Sequence, residues 1–351
     1  MAASAAGPCP LETAVILAGG LATRLWPVSL ATPKGLLPSQ STPLVLSSVN
    51  EAVEAGIREL IIVAGPEDEA LFRKLFSRKA QLESHMAEKG NFRAVSILQD
   101  LADKGARIRY VVQKQPRGPG DAVLAASEHV GDRPFAVMMP DDVFFTGHNP
   151  GCLAQMMKAY KEGKAENIMC AMEVPEGDIV RYGIIQGRAD GDGSIFATDV
   201  TEKPADLKTV GGSRMAVMGR DICHPGVMRI LANLGPGAGG EVQLRDAQKI
   251  LMRDPGRTFY GYNLTAERGI RLDYGTLAGR RDAEALLALI ENPRVIAQAL
   301  AAARLLAPDS ELLRFARSAE ARRIFGSSLG VAPHLTHGVS LAGLDREAPN
   351  A

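Results

Sequence analysis

Five short segments hold the residues best suited to phosphate and sugar chemistry. The first is Leu17 to Pro38, LAGGLATRLWPVSLATPKGLLP, where a glycine pair is followed by Arg24 and Lys34. Glycines after a strand let backbone N–H groups approach an anion, and Arg and Lys can neutralise phosphate oxygens. An ordinary tight turn with two surface cations fits equally well. The second is Met139 to Val143, MPDDV, whose adjacent carboxylates suit Mg²⁺, an ion that takes one or two protein carboxylates and completes its shell with substrate phosphates. A helix cap or solvated loop also explains an Asp-Asp pair.

The third is TEKP, residues 201–204. Glu202 can accept from sugar hydroxyls and Lys203 can hold a phosphate; a plain charged turn is the alternative. The fourth is GAGGEVQLRD, residues 237–246, in which Glu241 could orient hydroxyls or simply favour the start of a helix. The fifth is RLDYGT, residues 271–276, where Asp273 is a second candidate metal ligand or a helix N-cap. Neither the Walker spacing nor the dinucleotide-binding glycine spacing is present.

The elements that must position these residues follow from hydrophobic pattern. TAVILA, Thr13 to Ala18, is a short β-branched and apolar run ended by Gly19 and Gly20, which predicts a buried strand. Leu46, Val49, Val53 and Ile57 recur at helical spacing, and LIIVA, Leu60 to Ala64, is again a buried strand. That βαβ unit implies a right-handed crossover and parallel pairing. Further strands are expected at Ile108 to Gln113, Phe135 to Met139, Ile168 to Val174, Gly183 to Gln186, near Val200, at Met215 to Met218 and at Thr258 to Tyr262. Helices are expected at Ala122 to His129, Leu153 to Tyr160, Pro225 to Asn233 and Glu241 to Met252. The alternation makes the class α/β, and in such sheets ligands sit at the carboxyl ends of strands. The candidate segments are therefore expected to lie just after strands.

The expected organisation is a flexible tail over residues 1–11 and one α/β domain over 12–275, with a charged helical insertion at 71–103. A helical appendage over 276–325 and a loose tail over 326–351 complete it. The sheet is expected to be mixed but mostly parallel, between helical layers in a Rossmann-like three-layer α/β/α arrangement.

Composition narrows the function classes. The 351 residues carry 40 basic and 40 acidic side chains, which gives none of the cationic excess a nucleic-acid-binding face needs. No segment is apolar enough to span a bilayer and the start is no signal peptide. The four cysteines, Cys9, Cys152, Cys170 and Cys223, form no close pair in sequence and fit a reducing cytoplasm.

The order of the motifs is more specific than any one of them. The chain resembles the nucleotide-sugar pyrophosphorylases, and among them the bacterial UTP–glucose-1-phosphate uridylyltransferases. The likeness runs over residues 12–290. LAGGLATRLWPVSLATPKGLLP resembles their amino-terminal signature, VVQKQPRGPGDAV (residues 111–123) their base-recognition segment and MPDDV their metal-binding strand end. RYGII, TEKP, MAVMGR and GAGGEVQLRDA follow in order.

The resemblance implies a role for each position. The backbone of Ala18, Gly19 and Gly20 lies against the nucleotide, Arg24 and Lys34 bind the triphosphate, and Gln113 hydrogen-bonds the pyrimidine with Gly118 close to the base. Asp141 and Asp273 hold Mg²⁺. Gly183, Glu202 and Glu241 contact the hexose and Lys203 its phosphate. The implied partners are UTP and glucose 1-phosphate, in a homodimer or homotetramer. Relatives using dTTP or GTP share the motifs, as would a non-catalytic nucleotide-sugar-binding homologue.

The chain departs from that pattern at Ala22, Gly35, Asp121, Arg214 and Tyr274. The relatives carry Gly, Glu, frequently His, commonly a sugar-facing Asn, and frequently Cys at these places. Ala22 is expected to crowd the triphosphate loop if its φ is positive. Gly35 is expected to remove an ordering contact from Lys34, and Arg214 to alter the sugar contact.

Overall fold

The computed structural model describes residues 9–265 and 268–291. Thirteen strands are numbered along them: β1 (Thr13–Leu17), β2 (Pro38–Ser39), β3 (Thr42–Pro43), β4 (Glu59–Ala64), β5 (Ile108–Val112), β6 (Phe135–Met138), β7 (Asp142–Phe145), β8 (Asn167–Glu173), β9 (Gly183–Ala189), β10 (Ile195–Glu202), β11 (Met215–Cys223), β12 (Phe259–Asn263) and β13 (Ile270–Asp273). The α-helices are α1 (Leu44–Glu54), α2 (Glu69–Phe76), α3 (Ala80–Glu88), α4 (Phe92–Gly105), α5 (Pro119–Ala125), α6 (Ser127–Val130), α7 (Cys152–Lys161), α8 (Gly226–Leu231), α9 (Leu244–Leu251) and α10 (Leu277–Glu291). The chain falls into two compact units, one of which contains residues 150–280 and everything before 147.

Period-two alternation explains the layers. Along β1, Ala14 and Ile16 pack into one apolar cluster and Val15 and Leu17 into another. β4 does the same, with Leu60, Ile62 and Ala64 on one side and Ile61 and Val63 on the other. A strand buried on both faces reads as a continuous apolar run, as TAVIL and LIIVA do. α1, α2 and α7 supply Val45, Val49, Phe72, Leu153 and Met156 to the first cluster. α5, α8 and α9 supply Val123, Val227, Leu231, Leu244 and Ala247 to the second. The sheet therefore lies between two helical layers.

The main sheet runs β5-β4-β1-β6-β11-β8-β12-β10-β9. Parallel pairing holds from β5 through β6 and between β8 and β12. The remaining five pairings are antiparallel. The expectation of a mostly parallel sheet is corrected accordingly: the sheet is mixed, with parallel pairs in the minority. The reason is local. Only Asp190–Ser194 separates β9 from β10, too short for a crossover helix, so those strands must form a hairpin.

The expected insertion is three helices, α2 to α4. The expected helix from Glu241 begins three residues later, at Leu244. α10 covers the start of the expected appendage. The rest of the appendage, the 326–351 tail and residues 1–8 of the amino-terminal tail lie outside the described residues. Among the described residues no helix is long and apolar enough to cross a membrane.

Candidate active site

β1 is flanked by β4 on one side and β6 on the other, so the order reverses at β1 and leaves a crevice beyond its carboxyl end. A cleft of about 620 Å³ opens there. It is lined by Gly19, Gly20, Arg24, Lys34, Gln113, Gly118, Asp141, Gly183, Glu202, Lys203, Glu241 and Asp273. Those twelve positions come from seven separate stretches of sequence. Ala18 is not among the lining residues: it is buried, and its N–H donates to the Val63 carbonyl at 2.8 Å.

The Lys34 ammonium lies 2.9 Å from Oδ2 of Asp141. Burial alone raises the Asp141 carboxyl's pKa, but Lys34 outweighs it by charge and hydrogen bond and holds it below the ordinary value. Lys34 thus has an ordering partner although Gly35 follows it, contrary to the expectation. A methyl at Gly35 would come within 3.2 Å of the buried Phe72 ring on α2, a tight contact. Arg24 makes no ion pair among the described residues and faces the cleft. Ala22, two residues before it, has φ 46° and ψ 40°, so the positive φ on which the crowding expectation depends is present.

Asp141 and Asp273, 132 positions apart, are joined through the backbone. The Tyr274 N–H donates to the Asp141 carbonyl at 2.8 Å, and the Gly275 N–H donates to Oδ1 of Asp273 at 2.8 Å. A methyl at Gly275 would stand 2.7 Å from Oδ2 of Asp141 and 3.1 Å from Oδ1 of Asp273, so both oxygens face the small space a side chain would fill. Two hard oxygen donors converging on one space fit Mg²⁺, which fills the rest of its shell with phosphate and water. The N-cap alternative for Asp273 does not hold, since Thr276 Oγ1 caps the following helix by accepting from Gly279 N–H at 3.0 Å. Asp142, the other half of the Asp-Asp pair, is committed elsewhere. It accepts from the Gly219 N–H at 2.6 Å and from Arg271 Nε at 2.7 Å.

Gly118 has φ +110°, and a methyl on it would stand 2.7 Å from the Glu241 Cβ. The Val242 N–H donates to the Arg117 carbonyl at 2.7 Å and the Gly120 N–H to the Val242 carbonyl at 2.8 Å. The base segment and the GAGGE segment are therefore one docked unit. Glu241 is extended, not on a helix, and accepts from Gln243 Nε2 at 3.0 Å. Glu202 ends β10, and a methyl at Gly183 would stand 3.0 Å from its Oε2. Burial pushes the Glu202 carboxyl up, with Arg245 and Lys203 opposing. The Lys203 ammonium is 3.9 Å from Glu202 Oε1.

Arg214 is corrected: it does not line the cleft but pairs with Glu173, just before β11 begins. Tyr274 is fully buried, and its hydroxyl lies 2.6 Å from Ser39 Oγ. Sequence reasoning missed Arg271, Arg181 and Arg245, which all line the cleft. Arg271 Nη2 is 3.7 Å from Asp273 Oδ1, and Arg181 Nη2 is 3.7 Å from Oδ2. The signal for Arg271 was present, since residues i and i+2 of a strand share a face. Behind the site Arg220, fully buried, donates to Glu51 Oε2 at 2.7 Å and to the Met139 carbonyl at 2.8 Å, bracing the turn that carries Asp141.

An α/β sheet with a glycine turn, clustered cations and converging carboxylates at its switch point defines a phosphate-handling nucleotide site. The chain belongs to the nucleotidyl transferase family, which matches residues 13–266. It is 36% identical over 244 residues to a UTP–glucose-1-phosphate uridylyltransferase of Bacillus subtilis (strain 168), covering 69% of this chain and 80% of that one. A UTP–glucose-1-phosphate uridylyltransferase of Pseudomonas aeruginosa is 35% identical over 230 residues, 66% of this chain and 81% of the relative. Among solved structures, an apo UDP-glucose pyrophosphorylase superposes with a TM-score of 0.72 at 28% identity, over 81% of this chain and all of the other. A UTP-bound UGPase from Acinetobacter baumannii gives 0.70 at 30% identity, over 81% and 95%.

Proposed function

We propose that this chain joins UTP to glucose 1-phosphate, forming UDP-glucose and releasing pyrophosphate. The observation that carries the reading is the gathering of Arg24, Lys34 and Lys203 with Asp141 and Asp273 around one cleft that also holds Gln113, Glu202 and Glu241. The activities of the similar uridylyltransferases support it.

The chemistry needs no nucleophilic side chain. A sugar phosphate has a second pKa of about 6, so its oxygen is already anionic at neutral pH. That oxygen attacks the α-phosphorus of UTP, the new P–O bond forms, and the bond to the β-phosphate breaks with its electron pair leaving on pyrophosphate. The obstacle is the meeting of two anions. Arg24 and Lys34 neutralise the triphosphate and Lys203 the sugar phosphate, in a cleft that holds them in line. Glu202 and Glu241 accept from hexose hydroxyls and set the sugar. Asp141 and Asp273 would hold Mg²⁺, which when bound supplies further positive charge to the phosphate oxygens. The free thiols of Cys9, Cys152, Cys170 and Cys223, with Cys152 donating to Cys170 Sγ at 3.6 Å, fit a cytoplasmic setting.

The test is pyrophosphate release by purified protein with Mg²⁺ and glucose 1-phosphate, comparing UTP, dTTP and GTP. Turnover fastest with UTP is expected. A preference for dTTP or GTP, or binding without turnover, refutes the reading.

A further inference from the structure

Gln113 is held from behind. Its Nε2 donates to Asp121 Oδ2 at 2.8 Å and to the Gly118 carbonyl at 3.1 Å. The other Asp121 oxygen accepts from Arg117 Nε at 3.1 Å. A carboxylate paired with Arg and a backbone carbonyl can only accept, so both amide hydrogens of Gln113 are committed. Turning the amide over would set Oε1 against two oxygens with no hydrogen between them, a costly arrangement where both side chains are buried. Oε1 is left on the side of the glycine turn, 3.5 Å from where a methyl on Gly19 would stand.

We infer that Asp121 is a positioning residue that sets nucleobase choice by locking Gln113 with its carbonyl oxygen toward the base. A base meeting Oε1 must donate a hydrogen. Uracil and thymine do so with their ring imide N–H, whereas the matching ring nitrogen of cytosine carries a lone pair and is repelled. The site thus separates UTP from CTP by the direction of one hydrogen bond. Asp121 is one of the positions at which the chain departs from the pattern it resembles, so this lock is not carried over from that pattern. The inference rests on the reading that Gln113 faces the base.

Asp121→Asn tests it. The one carbonyl oxygen of Asn cannot serve both Arg117 and Gln113. Arg117 takes it and the new amide NH₂ faces Gln113, so the Gly118 carbonyl alone still favours the original amide and Gln113 populates the turned-over form that presents its NH₂ to the base. The kcat/KM ratio for UTP over CTP, measured with glucose 1-phosphate, is expected to fall about tenfold, carried by KM with kcat within about threefold. Adding Arg117→Met frees the Asn carbonyl for Gln113 and restores most of the ratio, a rescue that a merely structural role does not predict. Asp121→Ser, whose hydroxyl can donate or accept, repeats the loss if the Asn variant is unstable. An unchanged ratio in the Asn and Ser variants, or no rescue in the double variant, overturns the inference. Calorimetric binding of UMP and CMP reads the same preference without turnover. A wild type that binds UMP over CMP but releases no pyrophosphate therefore sinks the proposed reaction and leaves this lock standing.

Discussion

The ammonium of Lys34 and Oδ2 of Asp141 stand 2.9 Å apart, and that oxygen also borders the space over Gly275. One carboxylate oxygen thus serves a fixed cation on one side and the candidate metal space on the other. Lys34→Met is expected to lower kcat about 100- to 1,000-fold, the usual cost of removing a preorganised charge, while the protein stays folded. Steady-state rates with UTP check this; a drop below tenfold would argue against Lys34 acting on the reacting phosphates.

The space over Gly275 yields a second prediction. A methyl there would lie 2.7 Å from Oδ2 of Asp141 and 3.1 Å from Oδ1 of Asp273. Gly275→Ala should raise the Mg²⁺ concentration for half-maximal activity at least about tenfold, because the ion needs near-ideal oxygen geometry. Chelation of divalent ions should abolish turnover in the wild type. A Mg²⁺ titration of activity, and of the thermal shift produced by UTP with Mg²⁺, reads both.

Ala22 holds a left-handed conformation, φ 46° and ψ 40°, that strains a residue with a Cβ by about 1 kcal/mol. Ala22→Gly removes the strain at some cost in unfolded-state entropy, so a net stabilisation of up to about 1 kcal/mol is expected. Ala22→Val should destabilise by about 1–2 kcal/mol. Denaturant melts of the three proteins decide; a Val variant as stable as wild type would be incompatible with this geometry.

Glu202 titrates above its ordinary value of 4.5, chiefly because burial disfavours its charge. On the proposed reading, Glu202 accepts from hexose hydroxyls as the carboxylate. The KM for glucose 1-phosphate should therefore rise, as pH falls, at a higher pH than an ordinary carboxylate would give. The sign for stability is opposite. Between the ordinary and the raised value the folded state binds more protons than the unfolded one, so stability falls as pH rises through that window. Glu202→Gln should remove both dependences, raising KM at all pH values and flattening stability across the window. A Gln variant with an unchanged acid limb in its KM profile would assign that limb to another group.

Much of the chemistry was legible in the chain. TAVIL and LIIVA announce buried strands because a strand covered on both faces is apolar throughout, and the glycines, Arg24, Lys34, Asp141, Glu202 and Asp273 sit where those and later strands end. Local pattern locates strand ends, and an α/β sheet places ligands there. The same local logic misled on pairing, since β–α alternation suggests parallel strands while the five-residue link from Asp190 to Ser194 enforces a hairpin.

What sequence alone determined is which residues could neutralise phosphate, hold a hard cation and meet a sugar, and in what order they come. Tertiary structure decided which of them meet. It turned Asp142 to Gly219 and Arg271, moved Arg214 away to Glu173, and set Asp121 behind Gln113. It also brought Asp273 to Asp141 through the antiparallel pairing of β13 with β7 and the bond from the Tyr274 N–H to the Asp141 carbonyl. Contacts across such separations depend on how strands order themselves in the sheet, and hydrophobic periodicity encodes an element's buried face but not its neighbour.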